Sequence, residues 1–546
     1  MSDREIQRAS LILASGTVVS RILGFVKAIV LAAAIGLVGS ASANAFAISN
    51  QLPNTIYAIV AGGVLTAVLV PQIVRASQAA DGGAAYINKL VTLALVVLGA
   101  ATLIATLAAP LLTFLYGTQL DHSTLTLAIA FAYWCLPQIF FYGLYTVLSE
   151  VLNAKRSFGP STWAPVLNNV VALLGLVLFI WLFGSDAAGA RSADAWSPAM
   201  IAVLAGTTTL GVVAQALILL LFWRRVGLRF HFDFAWRGAG LGTAGRIASW
   251  SFGMLLLTTF AGLVETNVSG IASNTNAASV AALGNAWLIF MLPHSVITVS
   301  IATAYFTRMS EHAHRNDLAA VRRDLSSAAR GVGLIIVLAS IVSIVCAPLL
   351  GAIFMPGNLD GISAFSAIVV AYLLGLVPFC LLFLVQRAFY TLGDARTPFF
   401  YTLVQVVLFS LGGLLVAQFT PTLIAVSLAG LTSLVGTAQL VIASVLLRRR
   451  IGGLDGQRTT RSFVRYIIAA VPAVLLGLLT TLAVTILSPD ENLGLQSRLG
   501  AVVCIAVIGA AMSMCYLGVL WALRTPELRE TLQPLIARLR RRGPSQ

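Results

Sequence analysis

The amino-acid sequence predicts an all-α polytopic membrane protein with fourteen transmembrane helices. Of its 546 residues, 59% are hydrophobic and only 10% are charged, whereas a soluble domain carries roughly a quarter charged residues. Apolar stretches of about 20 residues, which suffice to cross a hydrocarbon core of roughly 30 Å, recur along the whole chain. Basic and acidic loops alternate between these stretches, and only an even number of spans preserves that alternation.

The predicted spans are apolar stretches bounded by polar loops. They cover residues 8–37, 44–76, 87–116, 123–153, 159–184, 197–224, 242–273, 277–310, 320–354, 361–392, 396–418, 421–447, 462–487 and 498–523. Loops after even-numbered spans are basic, as at Lys155 and Arg448, while loops after odd-numbered spans carry acids such as Asp121 and Asp360. Because Lys- and Arg-rich loops stay in the cytoplasm, we expect both termini to be cytoplasmic.

Two pairs of similar short sequence stretches indicate an internal repeat of six spans. Pro293 follows Pro53 by 240 residues, and Pro398 follows Pro160 by 238 residues, each within a similar local sequence. Parallel repeats of this kind place a substrate site between two lobes. We therefore predict an N-lobe over 1–226, a C-lobe over 227–450, two further helices over 451–525 and a basic cytoplasmic tail over 526–546.

The first two spans carry polar groups where lipid disfavours them. Arg21 and Lys27 lie inside the first span, and Pro53 interrupts the second. A cation in the bilayer is costly unless it faces a watery cavity or a partner. We expect both cations to line a polar cavity; the alternative is that either side chain snorkels to a membrane surface.

Two further groups of polar residues are functional candidates. Glu265 lies deep in the seventh span and is followed by Thr266 and Asn267. Carboxylate, hydroxyl and amide oxygens suit a hard cation, so these residues are candidates for coupling transport to Na⁺ or H⁺; the alternative is a hydrogen-bonded structural acid. Asp394 and Arg396 follow the tenth span and are gate candidates if they pair, while a solvated turn is the alternative.

The sequence carries no motif for catalysis, nucleotide binding or a metal site. It has no GxxxxGK[ST] and no HExxH, and its five cysteines lie singly in apolar stretches. We therefore expect no enzymatic activity, no catalytic residue, no metal and no resident cofactor. The net charge of +15 is accounted for by loops that orient the helices, so no nucleic-acid partner is expected.

Several stretches resemble the MurJ (MviN) family of lipid II flippases. They are Ser20–Phe25, Leu52–Asn54, Gly159–Asn169, Gln386–Tyr390 and Asp394–Pro398. The form with Trp163-Ala164-Pro165 is similar to the actinobacterial type. The resemblance covers roughly residues 10–525. It implies a member of the multidrug/oligosaccharidyl-lipid/polysaccharide (MOP) exporter superfamily in the bacterial cytoplasmic membrane.

The resemblance also implies a substrate and a binding set. The substrate would be lipid II, the undecaprenyl-pyrophosphate-linked peptidoglycan precursor, which moves from the inner to the outer leaflet by alternating access. Arg21 matches the family's first cavity arginine, and Lys27 stands where a second is usual. Asn44 stands where an Asp is common, and Tyr57 falls near a further cavity arginine. Asn54 is a cavity candidate because it is a polar residue within a span; the alternative is an interhelical hydrogen bond. The last two helices would hold the lipid tail.

Several cavity cations that are usual in the family are missing, so two alternatives stay open. One is a drug/cation antiporter of the MOP superfamily, or a flippase for another polyprenyl-linked oligosaccharide. The other is a membrane scaffold for cell-wall synthesis that transports nothing. The implied partners are lipid II, membrane lipids and other cell-wall synthesis proteins.

Overall fold

A computed structural model describes residues 3–61, 84–155, 157–223, 225, 230–234, 245–487 and 493–529. Every regular element in these ranges is helical, and thirteen helices or helix pairs are long and apolar enough to cross a bilayer. The predicted all-α polytopic fold is therefore confirmed. The second predicted span is described only up to Ala61, since residues 62–83 lie outside the described ranges.

The helices follow the predicted spans in order. The first eleven are α1 (Asp3–Ile35), α2 (Ala41–Val60), α3 (Ala84–Leu107), α4 (Ala109–Tyr116), α5 (His122–Cys135), α6 (Gln138–Ala154), α7 (Phe158–Phe183), α8 (Pro198–Leu217), α9 (Leu220–Trp223), α10 (Gly245–Gly270) and α11 (Val280–Pro293). The others are α12 (Val299–His314), α13 (Leu318–Val345), α14 (Ala347–Phe354), α15 (Leu359–Leu373), α16 (Leu376–Thr391), α17 (Arg396–Val416), α18 (Pro421–Arg450), α19 (Gly456–Leu487), α20 (Leu493–Gln496) and α21 (Arg498–Ala522).

The chain packs as two compact units. Unit 1 comprises Met1–Gly284 with Gly413–Ala425, and unit 2 comprises Asn285–Gly412 with Val426–Gln546. The predicted lobe boundaries at 226 and 450 rest on the sequence repeat and stay a prediction. Most of the predicted tail, from residue 530 onward, lies outside the described residues.

Unit 1 is built on α7, which packs against α1 on one side and α8 on the other, while α2 packs against α5 and α6. The turn between α1 and α2 is tight, with φ of +81° at Gly36. A Cβ on Gly36 would lie 2.6 Å from the Gly189 Cα, so a side chain there would displace the backbone. Trp196 holds the same corner by donating from Nε1 to the Ser42 Oγ at 2.7 Å.

The turn that enters α5 is tied to the short 3₁₀ turn Ile271–Asn274 that follows α10, within unit 1. Asp121 caps α5, because its Oδ2 accepts from the Ser123 hydroxyl at 2.5 Å and from the Thr124 N–H at 3.2 Å. The Asp121 N–H donates to Asn274 Oδ1 at 3.3 Å. Burial raises the pKa of the Asp121 carboxyl, but the hydrogen bonds from Ser123 and Thr124 outweigh it and hold the pKa below its usual value.

Unit 2 is organised around α13, which packs against α12, α16 and α19, while α19 pairs with α21. Its core includes the fully buried rings of Tyr466 and Tyr516. Their hydroxyls donate to the backbone oxygens of Arg330 at 3.1 Å and of Leu334 at 3.1 Å. A buried tyrosine must place its hydroxyl on a partner, so both rings fix α19 and α21 against α13.

A buried ion-pair network completes this junction. Arg330 is 4% exposed, and its Nε lies 2.7 Å from Glu527 Oε1. Its Nη1 lies 3.8 Å from Asp455 Oδ2. The Ser462 hydroxyl donates to Glu527 Oε1 at 2.9 Å. The network therefore joins α13 to the start of α19 and to the segment after α21.

We expect Arg330→Ala to lower the free energy of unfolding by about 3–5 kcal/mol, because removing one partner leaves a buried carboxylate without compensation. The measurement is chemical denaturation of the purified protein in detergent. Arg323→Ala, at an exposed arginine of the same helix, is the matched control and should have little effect. The double variant Arg330→Met/Glu527→Gln should recover most of the loss; a double variant as unstable as Arg330→Ala contradicts the ion-pair interpretation.

We expect Asp121→Ala to destabilise the protein by about 1 kcal/mol at neutral pH through loss of the helix cap. The folded-state pKa of Asp121 lies below its usual value, so its stabilisation is present above the unfolded-state pKa and is lost as pH falls through the folded-state pKa. The thermal unfolding midpoints of the parent and the variant should therefore converge at acid pH. Asp194→Ala, at an exposed loop acid, should show no such convergence, and a gap that persists in acid would exclude the carboxylate as its source.

Candidate functional site

Arg21 and Lys27 are cations without an acid partner in the described part of the chain. Arg21 is exposed and Lys27 is half-buried. The ion pairs among described residues form in unit 2 and involve Asp324, Asp455 and Glu527. Six positions separate the two cations on α1, so their side chains point about 120° apart. They can border one wide anion site, but they do not share one narrow helix face.

The helix α1 is fixed to α7 immediately beside Arg21. Asn169 is 9% exposed, and its Nδ2 donates to the Ser20 backbone oxygen at 2.9 Å. Gly24, one turn further, faces the same amide, since a Cβ there would make an ordinary contact at 3.8 Å from Asn169 Nδ2. The structure thus places Asn169 between two helices.

The three predicted site residues of α2 have different surroundings. Asn44 is buried, and its Oδ1 accepts from the Ala281 N–H at 3.1 Å, which caps α11. The Tyr57 hydroxyl lies 2.6 Å from Thr146 Oγ1. Asn54 is exposed directly after the buried Pro53. Asn44 and Tyr57 thus hold helices together in this structure, and Asn54 presents its amide to the surroundings.

The ion-coupling candidates of α10 also differ in their contacts. Glu265 is half-buried. The Thr266 hydroxyl donates to the Gly262 backbone oxygen at 2.9 Å within the helix. Asn267 Oδ1 accepts from the Thr118 N–H at 3.2 Å, and its Nδ2 donates to the Leu115 backbone oxygen at 2.8 Å. Successive helical residues are rotated by about 100°, so the three side chains diverge rather than surround one ion.

The gate candidates lie at the start of α17. Both carboxylate oxygens of Asp394 contact Thr397, accepting from its N–H at 2.9 Å and from its hydroxyl at 2.8 Å. This is a helix cap. The Arg396 guanidinium lies 5.6 Å from the centre of the Phe400 ring. A gating role for Asp394 and Arg396 stays a prediction.

Arg387 is a cation that the sequence interpretation did not select. It lies on α16 between two aromatic rings, 5.2 Å from the Phe306 centroid and 5.0 Å from the Phe383 centroid. No described carboxylate forms an ion pair with it. A guanidinium that contacts aromatic rings can still direct its N–H donors to an anion. The sequence did contain a feature that could have identified it, because Arg387 is a cation near the end of an apolar span and falls within the Gln386–Tyr390 stretch.

The sequence matches a known family and its curated members. The profile of the family described as "Lipid II flippase MurJ" matches residues 31–490. A probable lipid II flippase MurJ of Synechocystis sp. is 26% identical over 463 residues, which cover 83% of this chain and 84% of that protein. A probable lipid II flippase MurJ of Buchnera aphidicola is 26% identical over 473 residues, covering 83% of this chain and 86% of that protein.

Solved structures match the fold. A lipid II flippase MurJ in an inward closed conformation aligns with a TM-score of 0.68 at 15% identity, covering 93% of this chain and 98% of that one. An inward-facing multidrug resistance MATE transporter of the MOP superfamily aligns with a TM-score of 0.59 at 18% identity, covering 79% and 94%. Because the family profile spans more than half of the sequence, this chain belongs to the lipid II flippase MurJ family.

Proposed function

We propose that this multi-pass membrane protein moves lipid II from the inner to the outer leaflet of the bacterial cytoplasmic membrane by alternating access. The observation that carries the proposal is the pair of cations in the α1 span, Arg21 and Lys27, without an acid partner among the described residues. A lipid pyrophosphate is an anion that such cations bind well. The MurJ relatives support this substrate class.

The two cations make different contributions to this proposed site. Arg21 supplies a planar guanidinium that can contact two phosphate oxygens at once, whereas the Lys27 ammonium acts as a point charge. Asn54, which is exposed on α2, is a candidate for the polar headgroup. The buried contacts of Asn44 and Tyr57 support a role in holding α2 in place beside this headgroup.

Ion coupling is proposed at Glu265. Asn267 already accepts from Thr118 and donates to Leu115, and Thr266 bonds within its own helix. Of the three side chains, Glu265 alone carries a carboxylate, which is the group that can take up Na⁺ or H⁺. Both termini are proposed to be cytoplasmic, because the basic loops follow the even-numbered spans.

We expect Arg21→Ala to abolish rescue of cells that are depleted of their own lipid II flippase, because the pyrophosphate loses a charge-assisted contact that is made in a low-dielectric site. Arg21→Lys should rescue in part. Ile22→Ala, which alters an adjacent side chain that is 58% exposed, is the matched control and should rescue fully. Membrane levels of each variant are measured in parallel by immunoblotting.

The alternatives predict different results in the same cells. A scaffold would rescue regardless of the residue at position 21. A drug/cation antiporter would fail to rescue even as the parent protein and would instead move a cationic dye across proteoliposome membranes. Either pattern contradicts the proposal.

We expect Asn169→Ala to reduce lipid II binding as well as stability, because Asn169 holds α1 at the residue before Arg21. Loss of one such hydrogen bond costs about 1 kcal/mol. Asn168→Ala is the matched control, since Asn168 Nδ2 donates to Gln215 Oε1 at 2.8 Å and joins α7 to α8. Both variants should lose stability, but only Asn169→Ala should weaken lipid II binding to the purified protein. If the two variants bind lipid II equally well, Asn169 does not position Arg21 for binding.

A further inference from the structure

The exposed face of α12 is polar, although α12 is the second half of a span that covers Val280–His314. Its exposed residues recur every three or four positions and so share one helix face; they include Ser300, Thr303, Ala304, Thr307, Arg308 and Glu311. In α12, which is described throughout, no large hydrophobic side chain is exposed, whereas α19 exposes aliphatic side chains such as Val464 and Ile467. Polar groups within a span face water or protein rather than lipid. This face of α12 is therefore suited to water and not to acyl chains.

Arg387 of α16 lies beside the polar face of α12. The two helices pack against each other, and the Arg387 guanidinium lies 5.2 Å from the centroid of Phe306, the residue before the exposed Thr307. On α16 the half-buried residues Phe383, Arg387 and Tyr390 are spaced by four and three positions, so they share a helix face. Arg387 is thus partly accessible along the junction of α12 and α16.

The side chain of Arg387 points back into its span. Its guanidinium lies 5.0 Å from the centroid of Phe383, which precedes it by one helical turn. The helix α16 ends at Thr391, about 6 Å beyond Arg387 along the axis. An arginine that only snorkels extends toward the nearer membrane surface. Arg387 instead turns away from that end of the helix, and contact with two aromatic rings stabilises its charge there.

No described acid forms an ion pair with Arg387. The neighbouring Arg308 differs, because its Nη2 lies 2.8 Å from Asp324 Oδ1. A guanidinium that is held by rings rather than by a carboxylate keeps its full charge for an external anion. Its planar fork matches the spacing of phosphate oxygens, which it can contact two at a time. The ligand chemistry that fits Arg387 is therefore a phosphate.

We propose that Arg387 is an entry site on unit 2 for the pyrophosphate of the lipid substrate. The inference rests on the proposed function and on the proposed cytoplasmic position of the loop after α16. Phosphates of inner-leaflet lipids lie just outside the hydrocarbon core, and Arg387 lies one turn inside the end of α16. The guanidinium binds the pyrophosphate, while the polar face of α12 keeps the rest of the headgroup solvated beside it.

The test compares the binding of lipid II to the full-length parent and its variants in one detergent. We expect Arg387→Gln to raise the Kd about tenfold or more, because a charge-assisted contact is lost. Arg387→Lys keeps the charge without the fork and should have an intermediate Kd. Arg315→Gln, at an exposed arginine directly after α12, is the matched control and should bind as the parent does. The thermal unfolding midpoint of each variant shows whether it folds.

Two further lipids identify the group that Arg387 binds. Undecaprenol, which has no phosphate, should bind equally to the parent and to Arg387→Gln. Excess phosphatidylglycerol should leave the difference in lipid II affinity between these two proteins in place. If phosphatidylglycerol removes that difference, Arg387 binds phospholipid in general and the substrate assignment is wrong. A loss of undecaprenol binding in Arg387→Gln also contradicts a phosphate contact.

The direct comparison separates this inference from the proposed function. Equal lipid II affinity of the parent and Arg387→Gln contradicts the role of Arg387 alone and leaves the flippase proposal standing. A parent protein that binds no lipid II contradicts the flippase proposal, and the entry site with it. If Arg387→Gln does not fold, Arg387→Lys decides the question, because binding equal to that of the parent contradicts a two-oxygen contact with phosphate.

Discussion

The absence of water from the bilayer interior is the constraint on which this structure depends. A polar group placed there must find a partner within the protein or retain access to a solvated cavity. Unit 2 satisfies the first condition at Arg330, whose guanidinium meets Glu527 and Asp455. Arg21 on α1 has no such acid among the described residues. The same residue type is thus structural in one unit and a candidate for substrate binding in the other.

Helix–helix contacts in unit 1 depend on small residues and amides in the same way. The Asn169 amide of α7 donates to the Ser20 backbone oxygen of α1. A Cβ on Gly175 would overlap the Thr207 side chain, so glycine at this position lets α7 and α8 approach closely. The Ser49 hydroxyl lies 2.6 Å from the Ala128 backbone oxygen, which joins α2 to α5. Such contacts are individually modest in membranes. Together they join α1 to α7, α7 to α8 and α2 to α5, so a side chain on α1 has a defined direction relative to α7.

The sequence predicted the spans and identified the two α1 cations as candidate site residues, because both are local features of the sequence. An apolar stretch is visible without its neighbours, and so is a charge within it. The roles of Asn44, Tyr57 and Asn267 were less accessible, because their partners Ala281, Thr146 and Thr118 lie far away in the chain. Arg330 carried the same local signal as Arg21. Only the fold shows that two carboxylates neutralise it.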